Sequence, residues 1–208
     1  MLAEFTVGIL KKALGATHAG RSDTTGAAVV TQGHGRFQEA VEQGNVYGVA
    51  NQAGVTSQAG LSATTPVLTL YNPAGSGKNL VVWYAGAVFT VAFATAGAIF
   101  VAVGTDTVAA AVTGTLTTAH RNLKLGLTSN PVARTLLAAT LPAAPVAVAL
   151  LGVGLTGAIT TLPTSPPVGR WFDGSLILIP GTNLSLQTGV ASGASGTFCE
   201  YLWEECDL

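Results

Sequence analysis

Apolar and polar residues alternate with a period of two along much of the chain, the spacing of a strand with one buried face. TPVLTLYN (residues 65–72) alternates and stops at NPAGSGK, a run of turn formers. Leu80 to Val91 and Ala98 to Val103 read as two strands around Ala94-Thr95-Ala96-Gly97. Val112 to Thr118 and Leu123 to Thr128 read as two more, joined around His120-Arg121-Asn122. Ala147 to Val153 is an apolar run between turn formers, and LILI (176–179), NLSLQT (183–188) and TFCEYLWEE (197–205) complete the series. Ala133 to Leu141 is the one helical-looking interval past residue 60. About eight short strands with glycine and proline corners predict an all-β protein, an antiparallel β-sandwich of jelly-roll type.

The alternation also assigns faces. In Leu176 to Ile179 every residue is apolar, so both faces of that strand seek cover. Pro180-Gly181 then turns the chain, because proline fixes φ and glycine accepts a positive one. A hairpin is expected there, with Leu184 and Leu186 on one side of its second arm and Ser185 and Gln187 on the other. In the last strand Thr197, Cys199, Tyr201, Trp203 and Glu205 form the expected core face. Phe198, Glu200, Leu202 and Glu204 then line an outer or inter-subunit surface.

Residues 1–60 differ. They are small, polar and largely aperiodic, with too few large apolar side chains for a core of their own. They read as an extended N-terminal arm, partly helical: a short amphipathic helix within Met1 to Leu14, and one or two turns around Arg36 to Gln43. Residues 61–208 form the jelly-roll domain.

Composition sharpens this picture. Charged residues are 9% of the 208-residue chain, against about 25% in an ordinary domain. Two explanations fit: burial against other chains, or lipid. Asn79 to Thr105 is uncharged and long enough to span a bilayer. Its Val, Thr and Phe content and its internal Gly86 and Gly97 favour two strands, so no membrane span is assigned. The start, MLAEFTVGILKKALG, puts Glu4 early and its lysines after the apolar run, the reverse of a secretory leader. A net charge of -1 and scattered Lys and Arg give no basis for nucleic-acid binding. Cys199 and Cys206 make neither a disulfide framework nor a metal site, and read as reduced thiols.

Several strings tempt and fail. GVGLTG (152–157) matches the dinucleotide fingerprint, but Pro163, Pro166 and Pro167 deny it the following helix. NPAGSGKN (72–79) echoes a phosphate loop, yet Asn72 and Asn79 replace its first glycine and its hydroxyl residue. His34 near Glu39 sits in a flexible-looking lead-in; His120, Arg121 and Lys124 make a small basic spot. Ser76 has no base beside it, and Asp106 and Asp173 are the only mid-chain carboxylates available for a glycosidase-like pair. Trp171 and Phe172 suggest a carbohydrate platform, and Glu204, Glu205 and Asp207 a calcium site or a solvated acidic end. None of these patterns is complete: no catalytic, cofactor-binding or metal-ligating residue is assigned, and no cofactor or small-molecule substrate is expected.

NVYGVANQAGVTSQAGLSATTPVLTLYNPAGSGKNLVV (45–82) resembles a passage common in structural proteins of tailed bacteriophages. So do Gly174-Ser175, Leu178, Pro180-Gly181, Leu184 and the closing Trp203-Glu204-Glu205. Residues 104–167 carry little of the likeness. The resemblance implies a non-enzymatic virion component, a jelly-roll decoration or cement protein on the outer surface of the capsid. It implies a homotrimer bound to the major capsid protein, with the arm reaching neighbouring capsomers. A tail or fibre station, or a carbohydrate-binding receptor module, is the alternative it leaves open.

Overall fold

The structure, a computed structural model, describes residues 37–91, 93, 95–154 and 167–208, and the backbone of residues 4–5 and 18–19. The chain divides into two units, residues 1–39 and 40–208. In the first, β1 (Glu4–Phe5) pairs antiparallel with β2 (His18–Ala19). The helix expected within Met1 to Leu14 otherwise lies outside the described residues.

α1 (Gln38–Gln43) spans the boundary, inside the interval expected to hold a turn or two of helix. Strands follow: β3 (Val46–Ala50), β4 (Thr69–Asn72), β5 (Lys78–Phe89), β6 (Gly97–Thr105), β7 (Thr113–Leu116), β8 (Arg121–Asn122) and β9 (Arg134–Thr140). The last four are β10 (Val146–Gly154), β11 (Val168–Leu178), β12 (Thr182–Thr188) and β13 (Thr197–Asp207). They form two antiparallel sheets, ordered β10-β6-β12-β4-β9-β7 and β11-β5-β13-β3-β8.

The pairings are nested. β6 pairs β10, β5 pairs β11, β4 pairs β12 and β3 pairs β13, and successive pairs fall in alternate sheets. One long antiparallel ribbon is thereby rolled into two layers, the connectivity of a jelly roll. Leu70, Leu80, Val82, Ile99, Val101, Leu184, Tyr201 and Trp203 fill the space between the layers. The core face expected for the last strand is the one observed: Thr197, Cys199, Tyr201, Trp203 and Glu205 are all buried.

Four local expectations are corrected. Val46–Ala50, read as arm, is the first jelly-roll strand. It is short and interrupted by Gly48, so its pattern is weak, but β13 supplies its backbone partners. Ala133 to Leu141 is strand, not helix: Leu and Ala favour helix alone, yet the free edge of β4 captures the segment as β9. Within Leu123 to Thr128 no strand forms; the pairing residues are Arg121–Asn122, beside β3. Pro180-Gly181 makes no hairpin. Gly181 does take φ 81° and Thr182 N–H bonds Ile179 O at 3.2 Å, but the turn carries the chain from one sheet to the other.

The excursion between β6 and β10 decides which flank stays open. Its β9 and β7 extend the six-stranded sheet beyond β4, and its β8 extends the five-stranded sheet beyond β3. Among the described residues, β10 and β11 remain as edges with no further strand beside them. Residues 58–64 lie over part of the six-stranded sheet's outer face. There Ser62 N–H donates to Gln187 Oε1 and Gln187 Nε2 donates to Ser62 O, both at 3.2 Å. Hence Ser185 and Gln187 do face away from Leu184 and Leu186, but they are buried.

Candidate functional site

The residues that tempted as chemistry are occupied by structure. Ser76 Oγ donates to Lys78 O, and Lys78 pairs with Asp207 at 2.5 Å as the chain enters β5. A strand, not a helix, follows the Gly75-Ser76-Gly77 loop. Asp106 accepts from the Tyr71 hydroxyl at 2.6 Å and from Val112 N–H at 3.3 Å, which ties the excursion to β4. Asp173 takes φ 53° and Gly174 φ 83° in a bulge of β11, where Trp171 faces Tyr84 and Leu176 faces Val82. Asp-Gly suits two consecutive left-handed residues, and Ser175 Oγ closes the bulge on Phe172 O at 2.6 Å. Gly152 to Gly154 belong to β10; the rest of GVGLTG lies outside the described residues, as does His34.

The acidic end is dispersed. Glu205 is 5% exposed and its carboxylate accepts from Val132 N–H at 3.0 Å and Ala133 N–H at 2.9 Å. Glu204 points to the other face of β13, and Asp207 is held by Lys78. No group of three or more His, Cys, Asp or Glu that could hold a metal ion occurs among the described residues. Both cysteines are free thiols; burial pushes the Cys199 thiol far up and raises that of Cys206. No helix among the described residues is long and apolar enough to cross a membrane.

Trp171 and Phe172 form no joint platform. Successive strand residues face opposite ways: Phe172 is in the core, while Trp171 is 52% exposed and packs on Tyr84, ring centroids 5.0 Å apart.

Two surface features remain, both absent from the motif-level reading. One is the uncapped flank. Val146 (66% exposed), Val148, Leu150 (66%) and Val153 on β10, with Ile177 on β11 and Ile179 just beyond it, are open to solvent. Val146 and Ile177 border one groove of about 390 Å³ at this flank. β10 contains no charged residue. The other is a cross-strand groove of about 250 Å³ on the outer face of the five-stranded sheet, centred on Gly86 and Glu200. The signal for the first lay in LILI, whose two apolar faces sought cover and found it on one side. The second depends on strand register and has no local signature.

Compared with known proteins, the chain matches no family profile, no curated protein and no solved structure.

Proposed function

We propose that this chain is a non-enzymatic structural subunit of a phage virion, a capsid decoration or cement protein that acts by burying its surface against sibling copies and the major capsid lattice. The observation that carries the proposal is the β10–β11 flank. Soluble proteins protect sheet edges with charge, proline, bulges or short strands. Here a nine-residue edge strand is bulged against strand pairing but uncharged, and carries a row of exposed aliphatic side chains.

Apolar area removed from water is worth about 25 cal/mol per Å² before association costs are subtracted, so cover on these aliphatic side chains favours assembly. The low charge of the whole chain agrees with a molecule whose outside is largely covered by others. The virion setting rests on the resemblance of residues 45–82 and of the closing segment to phage structural proteins; the trimer and the capsid station are part of the same proposal.

Sedimentation velocity tests the assembly. The wild type is expected to associate with rising concentration, and Val148→Glu with Leu150→Glu to remain monomeric with an unchanged circular dichroism spectrum. Co-sedimentation with undecorated capsids tests the station. A protein that stays monomeric and ignores capsids would refute the reading.

A further inference from the structure

The groove on the five-stranded sheet is built from three cross-strand rows. Ala50, Glu200, Gly86 and Gly169 are register partners across β3, β13, β5 and β11, and the first three line the groove. Glu200 is the only ionisable side chain of that row. Tyr84, the register partner of Leu202 and Trp171, stands on one side; Phe198 and Val88 stand on the other. The Tyr84 ring folds flat over that row. A methyl group on Gly86 would lie 2.6 Å from its hydroxyl oxygen, and one on Gly169 would overlap it. Trp171 backs the ring from the far side at 5.0 Å.

Glu200 is exposed and no cation among the described residues pairs with it. Burial, then the Glu200 charge, raises the Tyr84 phenol above its ordinary range, so it stays a neutral ring beside a carboxylate. Arg170 sits over the Phe172 ring at 5.5 Å and is turned to the opposite face; Arg121, in the register row of Gly48 and Leu202, donates to Thr118 O and His120 O.

We propose that this groove accepts an arginine side chain of a protein partner, its guanidinium lying between Tyr84 and Phe198 and its N–H fork on the Glu200 carboxylate. Ring faces are negative and attract a cation. A guanidinium is planar and weakly hydrated, stacks on rings and matches a carboxylate in bidentate fashion; an ammonium does none of these as well. The residues named all belong to one chain, and the proposal does not depend on the assembly reading.

Titration of the ¹⁵N-labelled full chain with the peptide amide Gly-Arg-Gly, followed by NMR, tests it. Saturable shifts are expected at the amides of Gly86, Gly169 and Glu200. The citrulline peptide, isosteric but neutral, should leave them in place, and the lysine peptide should bind several-fold more weakly. Glu200→Gln, a change at an exposed site that leaves the fold intact, should weaken the arginine peptide by about two- to fivefold. Equal shifts from arginine and citrulline peptides, equal binding to wild type and Glu200→Gln, or a response to neutral oligosaccharides with none to arginine would each overturn the proposal. Failure of this titration leaves the sedimentation result untouched, so the two readings fall separately.

Discussion

Glu205 lies on the core face of β13 and is tethered by two backbone amides and, at 3.4 Å, by the Trp203 indole N–H. Hydrogen bonds to a charged acceptor are worth about 1.5–3 kcal/mol each, and orphaned buried donors add their desolvation cost. Glu205→Ala is therefore expected to lower stability by about 3 kcal/mol or more, read as the shift in a urea midpoint. Strain works at the same scale. Thr65 is β-branched yet takes φ 48°, where asparagine is far better tolerated. Thr65→Asn should raise stability by about 1 kcal/mol; a fall in the melting temperature would contradict the assigned backbone. Cys199 gives a pH dependence. Burial raises its thiol pKa in the fold, so above the unfolded thiol's value of about 8.5 the unfolded chain releases a proton that the native one keeps. Its contribution is complete below that pH and is lost as pH rises past it. Denaturation midpoints should decline from pH 8 to 10, and less steeply in Cys199→Ala.

At the scale of elements, the corners and bulges decide where strands go. Gly174 at φ 83° and Gly181 at φ 81° occupy conformations that cost an L-residue about 1–2 kcal/mol. Gly174→Val should cost at least that, and should also displace Trp171 and Ser175 at the bulge, visible as a changed tryptophan emission. The bulges of β10, between Ala147 and Ala149 and between Leu150 and Gly152, break the ladder of an edge strand. Such breaks hinder edge-to-edge pairing, so in the proposed assembly the flank would pack through side chains and not by extending a sheet. The period-two pattern located most of these strands. It failed where short segments lack large residues, as at Val46–Ala50, and where a neighbouring edge overrode helical propensity, as at Arg134–Thr140.

For the whole molecule, the excursion from Asp106 to Pro145 extends one flank of the sandwich, and among the described residues no strand pairs with the outer edges of β10 and β11 at the other. A partner bound there by apolar burial should be insensitive to screening. Raising salt tenfold is expected to leave self-association unchanged or strengthened; dissociation by salt would indicate a charged interface elsewhere.

Sequence alone determined that this is a β-sandwich with low charge, that the last strand turns Tyr201 and Trp203 inward, and that no complete catalytic motif is present. Those properties follow from alternation and residue type, which are local. Tertiary structure decided that Pro180-Gly181 joins two sheets instead of two arms of a hairpin, because a corner has the same residues in either role. It also separated Phe172 from Trp171, buried Glu205 against the amides of Val132 and Ala133, and gathered Ala50, Gly86 and Glu200 into one groove. Each of these depends on register between strands distant in sequence, and a one-residue slip would reverse every face.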